Sequence, residues 1–487
     1  MSEQQTEFKP TLNALDGTML VAGSMIGSGI FIVSADCARM VGSGGWLLLL
    51  WLVTGLITIT AALSYGELAG MMPKAGGQFV YIQRAWGKLP AFLYGWTVFT
   101  VIQTGVIAAV AVAFAKYMAF FFPALDPSNI LLKIGGFSIS SNQLFAVGMI
   151  VFLTIVNSRG IQNGRIIQII FTSTKIIALL GLILAGIFVG LNTDTFSQNL
   201  SYFWDASKTA QNADGSWSTV SLSGLALMMA FGTAIIGPLF SSDAWNNVTF
   251  IAGEMKNPRR NIPISLIAGV LIVTALYMLA NFAYLTLLPV RGNAAASDII
   301  GQGMQFAGNG SDRIGTAAAS MIFGEVSAAL MAGLIIISTF GCNNGIILSG
   351  ARVYYAMAKE GLFFQKAGTL NKQQVPGFAL LIQAIWASVL CFSGTYGDLL
   401  DYATFASLLF YMVTIAGIFS LRRKEPDAER PYKVWAYPLL PLLYLLLAGG
   451  ICIILLITKP ANTWAGLLIV ALGIPVYWFS RMRSNKG

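Results

Sequence analysis

Ile26-Gly27-Ser28-Gly29-Ile30-Phe31 interrupts the first long apolar stretch of the chain, and Gly237-Pro238 followed by Phe240-Ser241-Ser242-Asp243-Ala244-Trp245-Asn246 interrupts the sixth. In lipid every backbone N–H and C=O must be satisfied, so a broken helix survives only where protein or a watered cavity meets the freed groups. Interruptions at corresponding places in two halves of a chain point to a substrate site between them.

Composition excludes a water-soluble globule. The 487 residues are 56% hydrophobic and 10% charged, with 31 Phe and 11 Trp, and mean hydropathy is +0.72; such a chain lives in a bilayer. At roughly 20 apolar residues per crossing, periodicity predicts twelve transmembrane helices. They fall near 14–39, 46–70, 89–122, 143–157, 166–190, 222–252, 263–289, 325–351, 376–393, 399–420, 437–457 and 463–480. The expected fold class is an all-α integral membrane protein, one transmembrane domain over 1–487. Met1 to Leu12 are polar, and the first stretch is full length with no small-residue cleavage site, so no removable signal peptide is read.

An even number of crossings puts both termini on one side. Lys74, Arg84, Lys88, Arg159, Arg165, Arg259, Arg260, Lys359, Arg422, Arg423, Lys424 and Arg481 fall on that side, which the positive-inside rule makes cytoplasmic. The net charge of +9 is then a topology signal scattered over many loops, and no nucleic-acid partner is expected.

Cys37, Cys342, Cys391 and Cys452 lie in or beside apolar stretches and read as small hydrophobes rather than a disulfide framework. The chain has no histidine, which removes His-based metal ligation, Ser-His triads and His proton relays. It has neither a G-x-x-x-x-G-K-[ST] phosphate cradle nor a G-x-S-x-G elbow. Neither an enzyme nor an ATP-driven pump has parts here; no cofactor and no metal is expected.

Polar groups stranded at membrane depth are costly and mark function. Lys175, in Phe171-Thr172-Ser173-Thr174-Lys175, lies roughly 15 Å into stretch five at 1.5 Å per residue, too deep for its stem to surface easily. Its three donors suit helix-end carbonyls. Asp243 admits three readings: a partner of Lys175, a cap for the second half of helix six, or a substrate contact. Glu67, at the end of stretch two beside Pro73-Lys74, reads as a structural interface residue.

Glycine spacings such as Gly23 to Gly27 also serve close helix packing, so the value of Gly27-Ser28-Gly29 lies in its pairing with stretch six. A half-helix opening at Ile30-Phe31 points bare N–H groups at the cavity and suits a carboxylate. Opposite, the first half of stretch six ends near Phe240-Ser241, where bare carbonyls suit an ammonium. A molecule with both groups on adjacent atoms is an α-amino acid.

At these residues the chain resembles the amino acid-polyamine-organocation transporters, within them the L-type amino acid transporter branch. The resemblance rests on Ile26 to Phe31, on Tyr65-Gly66-Glu67-Leu68 with Pro73-Lys74-Ala75-Gly76-Gly77, and on Phe240 to Asn246 running into Gly253-Glu254-Met255-Lys256-Asn257-Pro258-Arg259-Arg260-Asn261-Ile262-Pro263. It implies a LeuT-type fold with inverted repeats over 14–190 and 222–420, two added helices over 437–480, and helices one and six unwound at mid-membrane. It implies that Gly27, Ser28 and Gly29 bind the substrate carboxylate and that Phe240, Ser241 and Asp243 offer carbonyls to the ammonium. The Phe240 ring would be a gate, Asn246 a polar neighbour, and Lys175 a fixed replacement for the sodium ion of related carriers.

The implied function is sodium-independent exchange of neutral L-amino acids across the plasma membrane. Asp243 stands where the branch often has a small residue, which adds cationic side chains to the expected substrates. Animal members are tied to a heavy chain through a cysteine between helices three and four. Pro123 to Asn142 contains none, so no disulfide-linked heavy chain is expected and the chain reads as a bacterial member. A proton-coupled importer in which Lys175 titrates and, from another class, a channel remain alternatives.

Overall fold

In the computed structural model the described residues are 8–134, 137–308, 313–393 and 396–484; Met1 to Glu7 of the polar N-terminus lie outside them. The first apolar stretch forms α1 (Ala14–Met25) and α2 (Val33–Val41), separated by an extended Ile26 and a single 3-10 turn at Gly29–Phe31. Asn13 and Asp16 cap α1 reciprocally, each side chain accepting the other's N–H. Then follow α3 (Gly44–Met71), a short amphipathic α4 (Gln78–Trp86), and α5 (Lys88–Thr97), which runs through a π turn at Val98–Ile102 into α6 (Gln103–Met118). Next come α7 (Ser141–Ser158), α8 (Ile161–Gly190) and α9 (Thr195–Ser201).

The sixth stretch is split into α10 (Gly224–Ala234), α11 (Ile236–Ser241) and a single turn, α12 (Asn247–Phe250). Beyond it lie α13 (Pro258–Leu287), α14 (Ile299–Gln302), α15 (Ile314–Phe323), α16 (Ser327–Lys359), α17 (Gly377–Cys391), α18 (Tyr396–Lys424), α19 (Leu439–Thr458) and α20 (Pro460–Ser484). Among the described residues ten helical segments are long and apolar enough to cross a membrane, and Gly377–Cys391 is a shorter apolar helix.

Several sequence boundaries shift. The eighth stretch, expected at 325–351, extends over 314–359 with a 3-10 turn at Gly324–Val326. The sixth, expected to run to 252, keeps only one α-helical turn after its break. The all-α expectation omits two hairpins between helices: β1 (Ile130–Ile134) with β2 (Phe137–Ser140), and β3 (Ser207–Gln211) with β4 (Trp217–Ser221), antiparallel with Ser207 opposite Ser221. Strands of four or five residues carry no span-length signal, even where they are apolar like β1, which is why a search for crossings passes over them.

Two apolar cores result, one gathering α1, α2, α3, α13, α18 and α19, the other α5 to α7, α16 and α17. At one end of the molecule buried ion pairs join elements distant in sequence. Glu67 accepts from Arg422 at 2.9 and 2.7 Å and from the Val434 N–H at 2.8 Å, in keeping with a structural role. Arg352 of α16 grips Glu254 through two hydrogen bonds of 3.1 and 2.8 Å, both side chains nearly fully buried. The Glu254 carbonyl accepts the N–H groups of Thr11 and Leu12, and Lys256 N–H returns to the Leu12 carbonyl. Glu254 thereby ties the segment before α1, the end of the sixth stretch and α16 together.

Removing one member of a buried pair strands the other charge, at about 3–5 kcal/mol. Arg352→Met should lower thermal unfolding of the detergent-solubilised protein by that order, and Arg352→Met with Glu254→Gln should recover most of it.

Candidate functional site

The break in the first stretch leaves α1 with carbonyls that no later turn can cover, and side chains from three other helices cover them. Lys175 of α8 donates its ammonium to Gly23 O at 2.5 Å, Ile26 O at 2.6 Å and Ser338 O at 3.4 Å. The Ser338 hydroxyl of α16 reaches Ile26 O and Gly27 O. Cys342 Sγ donates to Ser24 O, and the Tyr277 hydroxyl of α13 lies 3.1 Å from Met25 O. The donors are treated differently. Ile26 N–H turns back to Ala22 and Phe31 N–H to Ser28, while the N–H groups of Gly27, Ser28 and Gly29 have no acceptor among the described residues.

The sixth stretch breaks with strain. Ala244 sits at φ 66°, a left-handed conformation costly for any residue with a Cβ and typical of functional sites. The Phe240 carbonyl takes the Asp243 N–H, and the Ser241 carbonyl lies 3.0 Å from the Tyr277 hydroxyl, so one tyrosine spans the ends of both broken helices. Asp243's own carbonyl has no donor among the described residues. The two breaks touch at Gly29: a Cβ there would collide with the Ser241 hydroxyl and meet Ser241 Cβ at 2.8 Å. This approach by itself requires glycine at 29.

Both breaks face one cavity, about 910 Å³ of empty space with open solvent included. Ser28, Gly29, Phe240, Ser241, Asp243 and Asn246 line it. Gly27 does not; it faces Cys342, 3.6 Å from where its Cβ would stand. Lys175 lies outside the cavity, 1% exposed, behind the end of α1. Val98 and Ile102 of the π turn contribute apolar wall.

Of the three sequence readings of Asp243, partnership with Lys175 is not what the side chain does, since Lys175 is spent on carbonyls. The Asp243 carboxylate sits 2.5 Å from the Tyr411 hydroxyl of α18 and also takes the Ala244 N–H just beyond the break, an arrangement compatible with both capping and substrate contact. Asn246 donates to Gln78 at 2.9 Å and its Oδ1 lies 3.2 Å from the same tyrosine.

Tyr411, Gln78, Tyr277 and Ser338 escape sequence reading. Hydroxyls and amides are common in membrane helices, and these sit 36 to 312 positions from their partners, separations that only the fold brings together. Gln78 alone left a trace, directly after the noted Gly76-Gly77.

A family model described as amino acid permease matches residues 12–479. The chain belongs to that family, in the L-type branch of the amino acid-polyamine-organocation transporters, and is a multi-pass membrane transporter of amino acids rather than an enzyme. It is 28% identical over 488 residues to the serine/threonine exchanger SteT of Bacillus subtilis, covering 99% of each chain. It is 28% identical over 471 residues to the human b(0,+)-type amino acid transporter 1, covering 96% of this chain and 86% of that protein. To the human large neutral amino acids transporter small subunit 2 it is 29% identical over 485 residues, covering 98% and 82%.

The contact between the two breaks is directly testable. Gly29→Ala should abolish amino acid transport in proteoliposomes by wedging Ser241 away, and Gly29→Ala with Ser241→Gly, which vacates that space, should restore a substantial part. Full activity in the single variant would contradict the close approach.

Proposed function

We propose that the protein is a sodium-independent antiporter of neutral L-amino acids that also admits cationic ones. It would work in the plasma membrane with both termini cytoplasmic, without a disulfide-linked heavy chain. Its twelve crossings would form the LeuT-type arrangement, inverted repeats over 14–190 and 222–420 with 437–480 appended, and access alternates as one set of helices rocks against the other. The observation that carries this reading is the mismatch of free groups across one cavity. Unpaired N–H groups at Ser28 and Gly29 ask for a carboxylate, and the open carbonyl and carboxylate of Asp243 ask for an ammonium. A zwitterion supplies both.

Gly27, behind the cavity wall, lets the chain leave the helix so that Ser28 and Gly29 face the bound molecule, Phe240 closes over it, and Ser241 and Asn246 hold the break in shape. Lys175 stays charged and stands in for a coupling sodium ion by holding α1 against α16. The names of the relatives support exchange and neutral substrates: one is a serine/threonine exchanger and another a transporter of large neutral amino acids.

Liposomes loaded with unlabelled serine, alanine or leucine should take up the radiolabelled counterpart several-fold faster than empty ones, saturably and equally in sodium and potassium. A channel would show neither saturation nor trans-stimulation. Lys175→Ala should slow exchange severely, through loss of the α1 to α16 contact. Accumulation into empty liposomes, driven by an acidic exterior and lost in Lys175→Ala, would instead establish proton coupling.

Charge selection is a separate expectation. An Asp243 carboxylate in a partly watered cavity attracts a cationic side chain by about 1–4 kcal/mol, depending on effective dielectric. Asp243→Asn should therefore depress arginine uptake far more than alanine uptake, whereas equal losses would remove Asp243 from substrate selection.

A further inference from the structure

The Pro73-Lys74-Ala75-Gly76-Gly77 stretch has no part in the site as described so far. Gly76 and Gly77 take φ of 97° and 42°. A Cβ on either would collide, with Ala356 of α16 and with Thr249 of α12 respectively, and Gly76 N–H donates to the Phe250 carbonyl at 3.0 Å. The two glycines press this loop against the far side of the helix-six break. The next residue, Gln78, is 1% exposed and lines the cavity.

Gln78 is the middle of a polar chain. Its Nε2 lies 3.1 Å from Thr414 Oγ1, whose hydroxyl is 2.7 Å from the Phe410 carbonyl. Its Oε1 lies 2.9 Å from Asn246 Nδ2. Asn246 Oδ1 is 3.2 Å from the Tyr411 hydroxyl, which is 2.5 Å from Asp243 Oδ1. Tyr411 has one proton and two oxygens to serve. A half turn exchanges oxygen and nitrogen in each amide, so two complete directions exist. In one, Thr414 donates to Gln78, Gln78 to Asn246, Asn246 to Tyr411 and Tyr411 to an ionised Asp243. In the other, a protonated Asp243 donates to Tyr411, Tyr411 to Asn246, Asn246 to Gln78, Gln78 to Thr414 and Thr414 to the Phe410 carbonyl. A mixture leaves two oxygens facing each other with no proton between them, or two donors with a proton each, and either is costly when buried.

The titratable groups around Asp243 are tyrosines: Tyr411 of α18, Tyr94 of α5 in the same cavity, Tyr444 of α19 in a small adjoining cavity that Asp243 also lines, and Tyr65 of α3, whose ring is 5.9 Å from that of Tyr411. Among the described residues no cation is hydrogen-bonded to its carboxylate, and Lys175 is committed to carbonyls. We propose that Gln78 is a positioning residue that, by the direction of its amide, sets whether Asp243 faces the cavity as an anion or as a neutral acid. The ionised direction suits a cationic side chain and the protonated one a neutral side chain; that consequence rests on the amino acid reading of the cavity, while the relay itself does not.

Infrared titration of the purified, lipid-reconstituted protein reads the relay without transport, the Asp243 carboxyl C=O stretch being assigned by its absence in Asp243→Asn. Gln78→Glu offers only acceptors, fixes the Asn246 Nδ2 upon itself and turns Oδ1 toward Tyr411. The protonated band should then persist to higher pH by about one unit, a tenfold gain in proton affinity. Gln78→Glu with Asn246→Leu keeps the added charge but cuts the chain, and should return the band toward its original position. Asn246→Leu alone, which adds no charge and leaves the Tyr411 hydroxyl no acceptor but Asp243, should shift the band to lower pH, and it serves alone if Gln78→Glu does not fold. A shift that persists in the double variant marks a through-space charge effect and overturns the relay, as does an unmoved band in Gln78→Glu or Asn246→Leu. An intact relay in a protein that exchanges no amino acid would overturn the proposed function alone.

Discussion

The buried ammonium of Lys175 on the carbonyls of Gly23 and Ile26 is the contact on which the rest of the site depends. A helix cannot end inside a bilayer with bare carbonyls, and a lysine cannot be buried there with bare donors; each defect is the remedy for the other. Lys175 is the last step of a stripe on α8. Gln168 and Thr172, seven and three residues earlier on the same face, reach the Met19 carbonyl. Because the carbonyl side of the break is covered by α8, α13 and α16, only the donor side is left for a ligand. The polarity of the cavity at Ser28 and Gly29 follows from who occupies the other side.

Close backbone approach makes these polar contacts short. A Cβ at Gly23 would collide with Gln168 and Thr172, and one at Gly345 with Ser24. Without such glycines the ammonium, the hydroxyls and the carbonyls could not come within hydrogen-bond range. Membrane interiors give helices little hydrophobic reason to associate, so small residues and polar links carry the packing. The Gly29 contact with Ser241 belongs to this set and joins the two broken helices to each other rather than to the scaffold.

The span pattern, the two breaks and the depth of Lys175 were legible because each is a local departure from an apolar background. Gly27-Ser28-Gly29 and Asp243 announce themselves within a few residues. What Asp243 touches was not legible: Tyr411 is one tyrosine among 16, and nothing near it in sequence singles it out. The same holds for Arg352 with Glu254, where the motif carrying the glutamate was plain and its partner 98 positions away was not. A glycine required by a neighbouring helix and one that lines a ligand cavity look alike in a sequence, and Gly29 is both, so its approach to Ser241 could not be read from the motif. Helix α4 was missed because nine mixed-polarity residues resemble a loop, although it delivers Gln78 to the cavity.

The ends of the molecule are built from different chemistry. Where α1 begins, Asp16 pairs with Arg165, Glu67 with Arg422, Arg84 with Glu425 and Arg352 with Glu254. Where α2 ends, Arg39 and Arg291 donate chiefly to the carbonyls of Gln305, Gly42 and Asp205. Exposed pairs such as Arg84 with Glu425 hold little free energy, so they do not decide which end opens. The Arg352 to Glu254 pair is of another kind, because separating it in place leaves two desolvated charges. The end that carries it can open only if water enters as the pair parts, or if both partners move together as one body. Glu254 also holds Thr11 and Leu12, and those residues lead directly into α1. The start of the broken first helix and the end of the broken sixth are therefore bound to move together or to separate only with hydration, which couples the two halves of the cavity wall whichever side it faces.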